Sequence, residues 1–205
     1  MKTKITMNTL LVFSLLAVLF CPPFSAFAAE SMAAKFENLM GGSRWCFAKD
    51  HITGNIDLNR ALLSEIKEIK EGRYDLDSLS DQQLQQLATD IIQPYISKKL
   101  SVTINGTTYP VKVNRIVNNG SLFTIWLSIY GVSFNNTSNQ VRIDYRLLFE
   151  ETDNVHISHA YGFLSDATGD ALQRAFDFSQ AVYQTTFDSN NHIWQFLIKG
   201  HGGNL

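Results

Sequence analysis

At Leu100 the hydrophobic period of this chain changes from 3.6 residues to two, and for most of the remaining length it stays there. Ser101-Val102-Thr103-Ile104 and Thr108-Tyr109-Pro110-Val111-Lys112-Val113 flank Asn105-Gly106, the dipeptide best suited to a two-residue hairpin turn. Asn119-Gly120 then turns the chain into a strand from Leu122 to Tyr130. After the polar stretch 135–139 comes a strand from Gln140 to Phe149, where Val141, Ile143, Tyr145, Leu147 and Phe149 alternate with Arg142, Asp144 and Arg146. Such alternation buries one face and leaves the other wet, as antiparallel sheets do. Val155 to Phe163 and Ile193 to Ile198 add two more strands. The segment from Ala175 to Phe187 reads as a strand, although Leu172, Phe176 and Val182 would also suit a helix.

Before Leu100 the signals are different. Arg44-Trp45-Cys46-Phe47 and Ile52 to Leu58 read as the first strands, with Gly54 marking a bulge. Leu62, Leu63, Ile66 and Ile69 share one face of a short helix over 62–70, which Gly72 stops. Ser80-Asp81-Gln82-Gln83 fits a capping box, and Leu84, Leu87, Ala88, Ile91, Ile92, Tyr95 and Ile96 continue as a helical stripe. Pro94 withdraws one backbone donor, which predicts a kink in the last turn. Short strands joined by hairpins, with helices confined to the first third, predict a mainly β fold: an antiparallel Ig-like β-sandwich with two helices covering one end or edge.

The first 29 residues carry a different message. Lys2 and Lys4 precede an apolar run from Leu10 to Phe20, followed by Pro22-Pro23 and Ala26-Phe27-Ala28. These are the three zones of a secretory signal peptide. The apolar run is about half the roughly 20 residues that a bilayer requires, which argues against an uncleaved anchor. Cys21 stands where a lipoprotein carries its lipidated cysteine, but Phe20 before it is not the small residue that this chemistry prefers. The expected organisation is a signal peptide at 1–29, a flexible lead-in at 30–43, a β-sandwich domain at 44–199 and a tail at 200–205. The mature chain is expected to be exported, periplasmic or extracellular, with no transmembrane segment after cleavage.

Composition narrows the function. The net charge of -2 argues against a nucleic-acid partner, which would require clustered Lys and Arg. Cys46 is the one cysteine after residue 29, so no internal disulfide is expected and the core must carry stability. The five histidines are His51, His156, His159, His192 and His201. His156 and His159 have a metal-ligand spacing only on a helix, since residues three apart on a strand point to opposite faces. Cys46 and His51 could reach one rim, but a mixed site would need further ligands from elsewhere. The metal candidates are therefore Cys46, His51, His156 and His159, with a transition metal as the only cofactor in view.

Glu150-Glu151, Asp153, Asp166 and Asp170 could serve acid–base chemistry, or simply end a strand in solvent. No Gly-x-Ser-x-Gly elbow, phosphate-cradling glycine loop or His-Glu-x-x-His occurs, and nothing in the sequence supports an enzyme. Asn105, Asn119, Asn135 and Asn136 head glycosylation triplets, which in a bacterial context read as turn chemistry.

The helix-to-strand run from Ile91 to Val102, the following Asn105-Gly106, the strand ending Leu147-Leu148-Phe149 and the histidine-bearing strand after it resemble one known family. It is the extracytoplasmic N-terminal domain of HupE/UreJ-like membrane proteins, and the likeness covers roughly residues 44 to 199. Asn191 to His201 resembles the lead-in to that family's first transmembrane segment, where metal-handling residues are expected. The family's membrane portion is missing here, so the resemblance implies a stand-alone or truncated domain without the family's proposed nickel transport. The expected role is a non-catalytic interaction or accessory module with an envelope or membrane protein partner. The alternative is a periplasmic metal- or small-ligand-binding protein.

Overall fold

Trp45 and Gly54 face each other across the hairpin of β1 (Met40–Phe47) and β2 (His51–Asn59), and the indole needs that glycine. A Cβ on Gly54 would stand 3.0 Å from the Trp45 ring. The register through Gly54 is unbroken, so this glycine makes room for a neighbour and marks no bulge. The computed structural model describes residues 40–134, 137–164 and 181–199. Within them β1 starts at Met40, and residues 40–43, expected in the lead-in, already pair with neighbouring strands.

The helical stretch lies between β2 and the period change. The first expected helix is two: α1 (Arg60–Ser64), capped by the Asn59 side chain accepting from the Leu62 amide at 2.9 Å, and α2 (Lys67–Gly72). Ile66 breaks them with extended ψ, yet Leu62, Leu63, Ile66 and Ile69 are all buried as the pattern demands. Gly72 is the last helical residue, and the left-handed stop position belongs to Arg73 with φ of 52°. α3 (Asp81–Leu87) opens with the expected capping box, then widens into a π-helical turn (Ala88–Ile92) and resumes as α4 (Gln93–Lys99). The Gln93 amide reaches back five residues to the Ala88 carbonyl. The irregularity thus precedes Pro94, which stands in the first turn of α4 where a missing donor is harmless.

β3 (Leu100–Ile104) and β4 (Thr107–Tyr109) form the predicted hairpin, with Asn105 and Gly106 both at positive φ (50° and 84°). Positive φ at both central positions is the signature of a type I′ turn. Pro110 then divides what read as one strand, and β5 (Lys112–Asn118) belongs to the other sheet. The remaining strands are β6 (Leu122–Tyr130), β7 (Ser138–Tyr145), β8 (Ile157–Leu164), β9 (Tyr183–Phe187) and β10 (Ile193–Lys199). The expected strand over 175–187 is present from Tyr183; residues 175–180 lie outside the described residues.

β7 stops at Tyr145, because its partner β3 begins at Leu100, directly opposite. Leu147, Leu148 and Phe149 are all buried in the turn that follows, with Leu148 at φ of 65°, so their alternation was not that of a strand.

Six strands form one sheet in the order β5-β6-β2-β1-β8-β9, and four form a second in the order β10-β7-β3-β4. Every pair is antiparallel except β1 and β8, which run parallel, so the large sheet is mixed. A parallel pair needs a long crossover, and the chain between β1 and β8 supplies one that carries the helices and most of the small sheet. The chain changes sheet at Pro110, between the edge strands β4 and β5. It changes again between β9 and β10, the edge strands on the other side. One hydrophobic core is shared by both sheets and the helices. Among the described residues, no helix is long and apolar enough to cross a membrane.

The helices also protect an edge. The Gln93 side chain donates to the Val111 carbonyl at 3.0 Å and accepts from the Val113 amide at 2.6 Å, taking the place of a neighbouring strand beside β5.

Candidate functional site

Alternation along β1, β2 and β6 sends Trp45, Phe47, Ile52, Ile56, Ile125 and Leu127 into the core. The residues between them form the outer face of the large sheet. There the register aligns Arg115, Trp126, Asn55, Arg44, Tyr161 and Gln184, one from each strand, in a single row across all six strands. Arg115 and Gln184 at the ends are exposed, whereas Trp126, Arg44 and Tyr161 are half-buried.

A hydrogen-bond network ties this row to the next. Arg44 Nε donates to Asn55 Oδ1 at 2.9 Å, and Arg44 Nη2 pairs with Asp57 Oδ2. Thr124 Oγ1 donates to the other Asp57 oxygen at 2.7 Å, and Asn119 Nδ2 donates to Thr124 Oγ1 at 3.0 Å. The Arg115 guanidinium carbon lies 5.2 Å from the centre of the Trp126 ring, a cation–π contact.

The four metal candidates do not converge. Cys46 is buried in β1 opposite Thr53. His51 opens β2 opposite Tyr130, and its Nδ1 is 2.6 Å from Asp50 Oδ1. These residues line an open cleft with Thr53, Gly131 and Val132. His159 lies on the outer face, with Nδ1 3.1 Å from Thr186 Oγ1. His156 is fully buried just ahead of β8, with its ring centre 5.9 Å from that of Phe149. Its Cε1 would stand 2.9 Å from a Cβ on Gly41, so the ring uses the space that this glycine leaves. His156 and His159 therefore diverge, as strand geometry requires. Among the described residues, no three His, Cys, Asp or Glu side chains gather as a metal would need.

Glu150 and Glu151 both approach Lys99, at 2.7 Å and 3.6 Å. Asp166, Asp170 and His201 lie outside the described residues. His192 Nδ1 stands 2.9 Å from Asp144 Oδ1, while Arg146 forks onto both Asp144 oxygens at 2.9 Å and 3.1 Å. Partial burial opposes ionisation of Asp144, but the Arg146 fork and His192 outweigh it and hold its carboxyl below the usual value.

A second polar group lies in the core. Tyr95 Oη accepts from the Leu148 amide at 2.8 Å, with Glu151 beside it. Burial, with Glu151 adding to it, pushes the Tyr95 phenol far above its ordinary value. Tyr145 stacks flat on Phe187 at 4.6 Å, and its phenol is likewise raised by burial, against a smaller opposing pull from the Ser158 hydroxyl.

Neither the outer row nor the buried tyrosines stand out in the sequence. Polar residues at alternate positions of otherwise apolar strands (Arg44, Asn55, Asp57, Thr124) were the available signal for the outer row. Tyr145 counted only as an apolar strand position, and nothing local distinguishes it. No protein-family model matches this chain, and no curated protein matches it.

Proposed function

We propose that this chain is a non-catalytic exported domain, acting at the cell envelope as an interaction or accessory module like the extracytoplasmic part of HupE/UreJ-like membrane proteins. The observation that carries this reading is the row Arg115, Trp126, Asn55, Arg44, Tyr161 and Gln184 across the large sheet. Arg, Trp and Tyr are the side chains that dominate protein interfaces, and half-burial of Trp126, Arg44 and Tyr161 on a hydrogen-bonded sheet lowers the cost of ordering them on docking. The segment 1–29 supports export to the periplasm or the exterior. We infer an Ig-like sandwich for the two sheets; their common core and the crossings at both edges support it.

The test is affinity capture from envelope extracts with the exported protein and a Trp126→Ala, Tyr161→Ala variant. A Gln195→Ala control probes the exposed side of β10 in the small sheet. The proposal expects one stoichiometric partner, retained by the control and lost by the double variant. Equal recovery by all three proteins, or none above background, contradicts it.

The cleft at His51 supports the alternative, a metal- or small-ligand-binding protein. Asp50 engages Nδ1 of His51, the arrangement that orients a ligating histidine and leaves Nε2 to the ligand. Calorimetry with nickel, cobalt, copper and zinc decides it. Stoichiometric binding abolished by His51→Ala favours this reading, and only weak non-stoichiometric heats remove it.

A further inference from the structure

Among the described residues, the Tyr145 hydroxyl, Ser158 Oγ and Glu151 Oε2 are buried without a hydrogen-bond partner. They come from different parts of the fold. Tyr145 ends β7 in the small sheet, Ser158 belongs to β8 in the large sheet, and Glu151 lies in the turn between those strands. Tyr145 and Ser158 are both fully buried. Phe187 brings them together, since it stacks on the Tyr145 ring and stands opposite Ser158 in the β8–β9 register. The Ser158 hydroxyl lies near enough to pull against the raised pKa of the Tyr145 phenol, yet neither oxygen has a hydrogen bond of good geometry. The Glu151 carboxyl also lies beside the Tyr95 phenol of α4.

Burying a hydroxyl without a partner costs more than replacing it by an apolar group of the same shape. Phe at 145 would keep the ring, and Ala at 158 the Cβ, without burying a hydroxyl. We propose that Tyr145, Ser158 and Glu151 line an internal polar site between the sheets that holds a small neutral hydrogen-bonding ligand, one or two water molecules. The two hydroxyls can donate or accept, and the Glu151 oxygen accepts, which matches the two donors and two acceptors of water. Phe149 and Phe187 pack against the Tyr145 ring and, like Tyr95, are themselves buried. This site is independent of any partner on the outer face.

Tyr145→Phe tests the proposal because it keeps ring and packing and removes one polar atom. In denaturant unfolding, the midpoint of Tyr145→Phe falls below that of the parent, and Ser158→Ala falls too. Combining them costs less than the sum, because each removes a bond to the same ligand. In the parent, an NMR cross-peak joins a long-lived water to the Ser158 amide, and Tyr145→Phe abolishes it. A Tyr145→Phe midpoint at or above the parent's overturns the proposal, as does absence of the cross-peak from the parent.

Discussion

Arg44 pairs diagonally with Asp57 across the β1–β2 hairpin, and both side chains are largely shielded, at 12% and 19% exposure. A shielded ion pair contributes through its geometry, and removing one partner leaves the other charge poorly solvated. Asp57→Ala should therefore destabilise by about 2 kcal/mol, between the values for surface and buried pairs. Arg44→Met with Asp57→Leu should lose less than the two single changes together. Denaturant midpoints at constant slope measure both.

Gly54 should tolerate no side chain. Because a Cβ there meets the Trp45 ring at 3.0 Å, Gly54→Val forces the indole off its position and should cost about 1–3 kcal/mol. Thermal unfolding reads the loss, and an unchanged midpoint would show that Trp45 can move aside freely.

The Gln93 side chain is expected to protect the β5 edge. Gln93→Ala leaves the Val111 carbonyl and Val113 amide without their partner. Hydrogen exchange at Val113 should quicken at least tenfold, with a stability loss of about 1–2 kcal/mol. Exchange unchanged at Val113 would mean that the strand edge is closed by other means.

Asp144 predicts a feature of the acid limb. A carboxyl whose folded pKa lies below its unfolded value stabilises the fold fully above the unfolded value. That contribution is lost as pH falls through the folded value. Stability from Asp144 should thus be intact above about pH 5 and decline on acidification below its usual 3.8. The group is near the surface, so the effect should be modest and weaken with salt. Arg146→Ala should bring the Asp144 titration, followed by NMR, back up toward its ordinary value.

Much of the fold was legible because local rules and tertiary packing agree there. The Asn105-Gly106 turn, the Ser80 capping box and the Leu122–Tyr130 strand all follow from local sequence. The failures share a cause. Leu147, Leu148 and Phe149 alternate no better than a turn can, and where β7 ends depends on where β3 begins. The parallel pairing of β1 with β8 joins segments that are far apart in the chain, and no short-range pattern encodes it. Pro110 was visible, but not that it moves the chain from one sheet to the other. The outer row was hidden for the same reason, since its six residues become neighbours only through register across six strands.

The row from Arg115 to Gln184 is proposed to contact a partner in the envelope. A photo-reactive amino acid at Gln184, the exposed end of the row, tests it in intact cells. One discrete adduct is expected, absent when the label sits at Gln195 and lost when Trp126→Ala is added. No adduct from Gln184, or the same adduct from both positions, would contradict it.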